Sequence, residues 1–315
     1  LSLSESLDLT AKGRGEDASA LVGHATTFFS YSWTGTTLGD MLAAIESKVV
    51  QLEANNGKTR YVWVDMFAAS QNLLAGAYLP PSSEARTALK RADPAMYQAR
   101  KEDTDHIFDD AIEAISELLL YASPLTEEWE APAHAFLLPE RGTPQAGWRR
   151  CGPGAMTRAW CMFELVKALA KGATLHVVLR PADANGFEAL LRARFDEISG
   201  IVAALDACEA QISKVEDRDY ILRQVQLLDG GLSAVTASVC TSLRGWLADE
   251  GYRVLGRLGA AERGTSALLS NMGKLLKAMG WLGDAETLLR EALDARRATR
   301  GDRHPDTLTS INDVG

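Results

Sequence analysis

The 315-residue chain is long enough for two or three compact units, and its 46% hydrophobic and 24% charged residues are ordinary for a globular protein. Its net charge of −9 argues against a general binder of nucleic acid or anionic membranes, because phosphate groups are bound by clustered Lys and Arg. No apolar run approaches the roughly 20 residues of a membrane-spanning helix, and the four scattered cysteines lack metal-binding spacing. We therefore expect a cytoplasmic protein that binds neither nucleic acid nor membrane.

Strand-like and helix-like patterns alternate between residues 23 and 182. An apolar, β-branched strand pattern at 24–33 is followed by a helix with one apolar stripe. Further strands are predicted at 60–67, 117–125 and 173–181, with helices at 103–116 and 156–172. This order predicts an open α/β sheet of parallel strands flanked by helices, on which ligands bind at the carboxyl edge.

The remaining segments differ in composition. Residues 1–22 are polar and predict a flexible lead-in, whereas residues 183–258 are helical in pattern throughout. Proline-containing stretches near 68–101 and 126–155 are interpreted as insertions in the α/β domain, the first with one short helix around 83–91.

A repeat begins near residue 264. Two amphipathic helical patterns, 270–280 and 282–301, are joined by a short turn, and Asn271-Met272-Gly273 recurs as Asp313-Val314-Gly315 after 42 residues. A helix pair with a period near 40 is typical of an α-solenoid. Since one repeat cannot bury its own apolar face, we expect residues 264–315 to be a truncated part of a longer array.

Short motifs in this C-terminal region extend the interpretation. They are Leu282-Gly283, Ala285-Glu286, Leu289, Ala292-Leu293 and the run Gly301-Asp302-Arg303-His304-Pro305-Asp306-Thr307. Together they resemble the kinesin-light-chain type of tetratricopeptide repeat (TPR). The resemblance implies a solenoid that binds a protein partner.

A second set of motifs lies in the α/β region. It comprises Phe28 to Ser32, then Ala111-Ile112-Glu113, Leu118 to Tyr121 and Ser123-Pro124, and finally Trp160 to Leu165. In this order they resemble a Toll/interleukin-1 receptor (TIR) domain, although the two insertions and the stretch after Asp65 depart from its pattern. The resemblance implies a flavodoxin-like parallel sheet and a homo-oligomer formed through this domain. Some TIR domains cleave NAD between nicotinamide and ribose, and the resemblance places their catalytic glutamate at Glu164.

Two interpretations of Glu164 remain open. Departing nicotinamide becomes neutral and needs no general acid, so one carboxylate can stabilise or attack the oxocarbenium-like transition state. Alternatively, Lys167 and Lys171 follow at i+3 and i+7 on the same helix face, and Glu164 is then a solvated, ion-paired surface residue.

Other candidate ligand contacts surround the predicted carboxyl edge. Ser30, Tyr31 and Ser32 lie where a nucleotide would approach the first strand, and the loop Thr34-Gly35-Thr36-Thr37 offers backbone N–H groups to a phosphate. Asp65 ends the second strand and is either a ligand contact or a turn residue. Trp160 either stacks on a ligand ring or belongs to the core.

The acids at 103–110 fix no coordination geometry and better suit a helix start, so no metal site is expected. No cofactor is required on either of the two functional hypotheses below, and NAD enters only as a substrate.

The first hypothesis is an intracellular signalling or scaffold protein whose repeats bind a protein partner and whose TIR-like domain self-associates or binds a nucleotide. The alternative is an NAD nucleosidase that uses Glu164 and is regulated by assembly through the repeats.

Overall fold

The computed structural model describes residues 24–32, 36–64, 83–97, 111–125, 128–130, 136–137, 149–212 and 215–315. The chain divides into two compact units. The first takes in residues up to 31 with 45–120 and 164–176, and the second takes in 32–44, 121–163 and 177–315. The predicted lead-in at 1–22 and the candidates Thr34, Gly35 and Asp65 lie outside the described residues.

The described strands fall into three groups by pairing. Their bounds are β1 Thr27–Ser30, β2 Val62–Trp63, β3 Glu117–Tyr121, β4 Glu128–Glu130, β5 Phe136–Leu137, β6 Arg149–Cys151, β7 Thr174–Val178 and β8 Gln211–Ile212. The main sheet has the order β2-β1-β3-β7, and two antiparallel pairs join β4 to β6 and β5 to β8.

Helices make up most of the rest. Their bounds are α1 Leu38–Asn56, α2 Ser83–Ala92, α3 Ala159–Ala170, α4 Pro181–Ala203, α5 Val215–Gln226, α6 Gly231–Leu255, α7 Ala260–Thr265, α8 Ala267–Ala278, α9 Leu282–Arg300 and α10 Pro305–Val314. The prediction of a parallel sheet with flanking helices, followed by a helical region, is confirmed. No helix in the described ranges combines the length and apolar character needed to span a bilayer.

The main sheet is parallel and buried. In β1, Thr27 lies opposite Val62 of β2 and Glu117 of β3. All four residues of β1 are buried, as are the last four of β3, which is the usual state of a parallel strand covered on both faces. The rings of Phe28 and Trp63 stack with centroids 4.7 Å apart, so the aromatic run that predicts β1 also packs its core.

The helical part of the second unit has a core of its own. Buried side chains of α4, α6, α8 and α9 form one apolar cluster. Gly273 lets α8 approach α9 closely, since a Cβ there would lie 2.6 Å from Leu289 Cγ. This contact explains a small residue in the repeated Asn271-Met272-Gly273 motif.

The turn from α9 to α10 explains another motif. Gly301 ends α9 with a φ of +81°, a conformation that L side chains rarely adopt. His304 then caps α10, because its Nδ1 accepts a hydrogen bond from the backbone N–H of Asp306. Pro305 occupies the first helical turn, where no backbone N–H is needed.

Candidate functional site

Glu164 is a buried carboxylate at the carboxyl end of β1. Glu164 lies in α3 and is only 8% exposed. The residues on either side of it, Phe163 and Leu165, are also buried. Its Oε2 accepts a hydrogen bond of 2.6 Å from Oγ of Ser30, the last residue of β1. Ser30 is 1% exposed, so the hydrogen bond is shielded from bulk water.

This burial is inconsistent with a solvated surface carboxylate. The interpretation of Glu164 as an exposed acid on an open helix face is therefore wrong. Lys171, one of the two lysines invoked for that interpretation, forms an exposed ion pair with Glu113, with Nζ and Oε1 3.1 Å apart. A surface pair of that kind contributes little to folding and carries no information about Glu164.

The Ser30–Glu164 hydrogen bond gives the carboxylate a defined position. Removing a carboxylate from water is costly unless it is hydrogen-bonded, and a hydroxyl donor at 2.6 Å is in the range of short, charge-assisted bonds. The contact joins residues 134 positions apart, and the sequence does not predict it. The available signal is a serine inside the otherwise apolar end of a buried strand, which must find a polar partner.

Trp160 lies in an aromatic cluster of the second unit. Its indole Nε1 donates to Oδ2 of Asp217 at 3.1 Å. Its ring stacks on Tyr220 with centroids 5.8 Å apart and meets Phe163 edge-on at 6.0 Å. Trp160 is half-buried and packs against aromatic side chains of its own unit, and its role as a ligand contact stays a prediction.

Ser32 and the start of α1 also belong to the second unit. Ser32 is 5% exposed, so little of its side chain is at the surface. Thr37 caps α1, since its Oγ1 accepts from the backbone N–H of Asp40 at 3.1 Å and donates to Oδ2 of Asp40 at 2.8 Å. Of the two threonines that precede α1 in the sequence, Thr36 and Thr37, the second is therefore the capping residue.

The opposite, amino end of the sheet holds a different hydrogen-bonded group, here called the Arg60–Glu117 cluster (Thr27, Arg60 and Glu117). Arg60 Nε and Nη2 donate to the two carboxylate oxygens of Glu117 at 2.6 and 2.8 Å. Thr27 Oγ1 donates to Oε2 of Glu117 at 3.2 Å. Two parallel N–H donors on one carboxylate give a strong, oriented pair.

The cluster shifts the acid–base behaviour of its members and of a neighbour. The hydrogen bonds from Arg60 hold the pKa of Glu117 below its ordinary value, although burial acts the other way. The same contact raises the pKa of Arg60. His176 of β7 has Nε2 3.9 Å from Oε1 of Glu117, and burial lowers its pKa, with Lys48 adding to the effect and Glu117 opposing it.

In the described part of the chain, no group of three or more His, Cys, Asp or Glu residues is arranged to hold a metal ion. The acids at 103–110 lie outside it.

Comparison with known proteins yields no match, whether to a family model, to a curated protein or to a solved structure. Functional inference therefore rests on the residues themselves.

Proposed function

We propose that this protein is an intracellular signalling or scaffold protein with a TIR-like, flavodoxin-like α/β domain and TPR-like helices. The α/β domain self-associates or binds a nucleotide at the carboxyl end of β1, and the helices bind a protein partner. The observation that carries the nucleotide site is the buried carboxylate of Glu164, hydrogen-bonded to Ser30 at the last residue of β1.

The chemistry of a nucleotide suits this position. Open parallel sheets bind ligands outside the carboxyl ends of their strands, and carboxylates there accept hydrogen bonds from ribose hydroxyls. Ser30 would fix the orientation of Glu164 while a ribose approached from the strand end.

The same observation favours a second candidate, cleavage of NAD. In this reaction the bond between the anomeric carbon and the nicotinamide nitrogen breaks, and nicotinamide departs with the bonding pair as a neutral molecule. Water then attacks the anomeric carbon and loses a proton, which leaves ADP-ribose. A carboxylate in a water-poor setting stabilises the positive charge of the transition state, and assembly through the repeats would regulate the reaction.

Binding and cleavage of NAD can be measured on the same samples. Calorimetry would report NAD affinity, and chromatography would report released nicotinamide. We expect Glu164→Gln, which preserves shape and can still accept from Ser30, to weaken binding about tenfold, the loss that 1.4 kcal/mol produces. The matched control is Glu113→Gln, because that carboxylate is 57% exposed and paired to Lys171.

The outcomes separate the two candidates. Saturable binding without nicotinamide release supports a nucleotide-binding domain. Release by the wild type and by Glu113→Gln, but not by Glu164→Gln, supports the nucleosidase. Equal affinity in wild type and Glu164→Gln, or no binding at millimolar NAD, contradicts a nucleotide site at Glu164.

A further inference from the structure

Two large apolar side chains lie side by side on the surface at the turn between α8 and α9. Trp281 is 46% exposed and Leu282 is 62% exposed. With Gly283 and Asp284 they line a shallow depression. Adjacent exposed apolar side chains of this size are characteristic of interaction sites, and tryptophan is enriched among residues that dominate binding energy.

The backbone beneath these side chains is held on both sides. Gly280 ends the α8 turn with a φ of +80°, and the N–H of Trp281 donates to the carbonyl of Leu276 at 2.9 Å. The carbonyl of Trp281 accepts from the N–H of Ala285 at 3.0 Å. The turn is therefore already ordered, which lowers the entropic cost of binding a partner.

Helix α6 adds an aromatic side chain and negative charge. Tyr252 is 37% exposed, and the carboxylate of Asp284 is near enough to help raise the pKa of its hydroxyl, an increase caused mainly by burial. Asp249 precedes Tyr252 by three residues, which places both on one helix face.

The charges around this surface are not balanced. Among the described residues, Asp249 and Asp284 take part in no ion pair or side-chain hydrogen bond, and both are exposed. Arg263 also interacts with Tyr252, but its guanidinium donates to both carboxylate oxygens of Glu291 at 2.6 and 3.1 Å. The surface therefore combines exposed aromatic rings with unpaired negative charge.

We propose that Tyr252, Trp281 and Leu282, flanked by Asp249 and Asp284, form a docking surface for a protein segment that carries Lys or Arg beside a large apolar side chain. We call it the Trp281 surface. Cations are attracted to the faces of Trp and Tyr rings, and the two carboxylates strengthen that attraction. Leu282 offers contact to the apolar neighbour. This inference rests on the proposed role of the helices in binding a protein partner.

The same charges argue against other occupants. Nucleic acid and anionic membranes present phosphates, which Asp249 and Asp284 would repel. A peptide with acidic side chains would be repelled in the same way. The surface thus discriminates by charge as well as by apolar area.

Three short fluorescein-labelled peptides test the proposal by fluorescence anisotropy on the full chain. The first alternates Leu and Arg, the second has Glu in place of Arg, and the third has Ser in place of Leu. We expect the Leu-Arg peptide to bind most tightly and the Leu-Glu peptide to be bound at least tenfold more weakly. Added salt should weaken the Leu-Arg complex, because exposed charges are screened.

Substitutions then locate the binding. Trp281→Ala and Asp284→Asn should each lower the affinity for the Leu-Arg peptide about tenfold, because each removes a central contact. Leu227→Ser and Asp229→Asn are matched controls, since Leu227 is 80% exposed and Asp229 is an exposed carboxylate two residues away in the loop after α5. Neither control should change the affinity.

Three results would overturn the proposal: equal binding of the Leu-Glu peptide, unchanged affinity in both surface variants, or no binding of the Leu-Arg peptide at millimolar concentration. Self-association that is lost in Trp281→Ala would assign the surface to a second copy of this chain instead. Peptide binding that is unchanged in both Trp281→Ala and Asp284→Asn would place the partner site elsewhere on the helices, which overturns this surface but not the proposed function. The NAD measurements are a separate readout, so failure of the nucleotide site is distinguishable from failure of this surface.

Discussion

Two carboxylates at opposite ends of the sheet, the half-buried Glu117 and the buried Glu164, are held in different ways. Glu117, at the amino end, receives two hydrogen bonds from the guanidinium of Arg60 and one from Thr27. Glu164, at the carboxyl end, receives a hydrogen bond from Ser30, which brings no positive charge. A hydrogen-bonded carboxylate at the end of a sheet is therefore not by itself a functional acid. The two parallel donors of Arg60 give Glu117 a role in the fold, and the nucleotide role that we propose for Glu164 rests on its place at the carboxyl end of β1.

The largest expected effect on stability is at the amino end of the sheet, in the Arg60–Glu117 cluster. Arg60→Met leaves the half-buried Glu117, whose side chain is 17% exposed, without its cation, and we expect the free energy of unfolding to fall by about 3 kcal/mol, the low end for a buried pair. Urea denaturation followed by circular dichroism measures it. The double variant Arg60→Met/Glu117→Leu should recover most of the loss, because it removes the isolated charge. A single-variant cost below about 1 kcal/mol, the value of a surface pair, would contradict the structural role of this cluster.

Ser30→Ala tests the carboxyl end and should cost less. It removes the hydroxyl that donates to the buried Glu164, and we expect a loss of about 1–3 kcal/mol in unfolding free energy together with weaker NAD binding. Ser270→Ala is the control. Ser270 is also buried, yet its hydroxyl has no hydrogen-bond partner among the described residues, so its removal should be nearly neutral. Equal losses of unfolding free energy in Ser30→Ala and Ser270→Ala would show that the Ser30–Glu164 hydrogen bond does not stabilise the fold.

The Arg60–Glu117 cluster also predicts a dependence on acid. The pKa of Glu117 is lowered from 4.5 in the folded chain, so the unfolded state binds the proton more readily. Its stabilising contribution is present above pH 4.5 and is lost as the pH falls through the folded pKa. Melting temperatures measured between pH 7 and pH 3 should decline more steeply for wild type than for Arg60→Met/Glu117→Leu. Parallel curves would show that Glu117 does not titrate differently in the two states.

The smallest expected effect is at His176. Burial lowers its pKa from 6.5, so its neutral form is favoured in the folded chain and folding is weakened as the pH falls below 6.5. His176→Asn should flatten the stability profile slightly between pH 7 and pH 5. Titration of the His176 Cε1 proton by NMR gives the pKa directly. A value above 6.5 would mean that attraction to Glu117 outweighs burial.

Local patterns in the sequence predict the elements of this fold better than their contacts. The continuous apolar runs of β1 and β3 predict buried parallel strands, and the apolar periodicity at 282–301 predicts α9. The eight-residue run at 60–67 predicts too long a strand, because β2 has two residues, Val62 and Trp63. Periodicity reports which face is apolar, but strand length is set by the partners that pair with it.

The site residues show the same limit. Glu164 is singled out by its apolar helix and by the TIR-like motif, but its partner Ser30 is 134 positions away. Arg60 and Glu117 are 57 positions apart, and neither is a candidate from sequence. Each contact depends on the strand order β2-β1-β3-β7, which brings distant residues to one sheet end. The exposure of Trp281 is likewise a property of helix packing that an apolar pattern does not reveal.

The most direct measurement of the central claim is a crystal structure of the protein grown with NAD. Nucleotide density is expected at the carboxyl end of β1, with a ribose hydroxyl within hydrogen-bond distance of the Glu164 carboxylate and the Ser30 contact retained. In the Glu164→Gln variant under the same conditions, occupancy should fall. Nucleotide density at any other place on the chain, with Glu164 making no contact to it, would contradict a nucleotide site at Glu164.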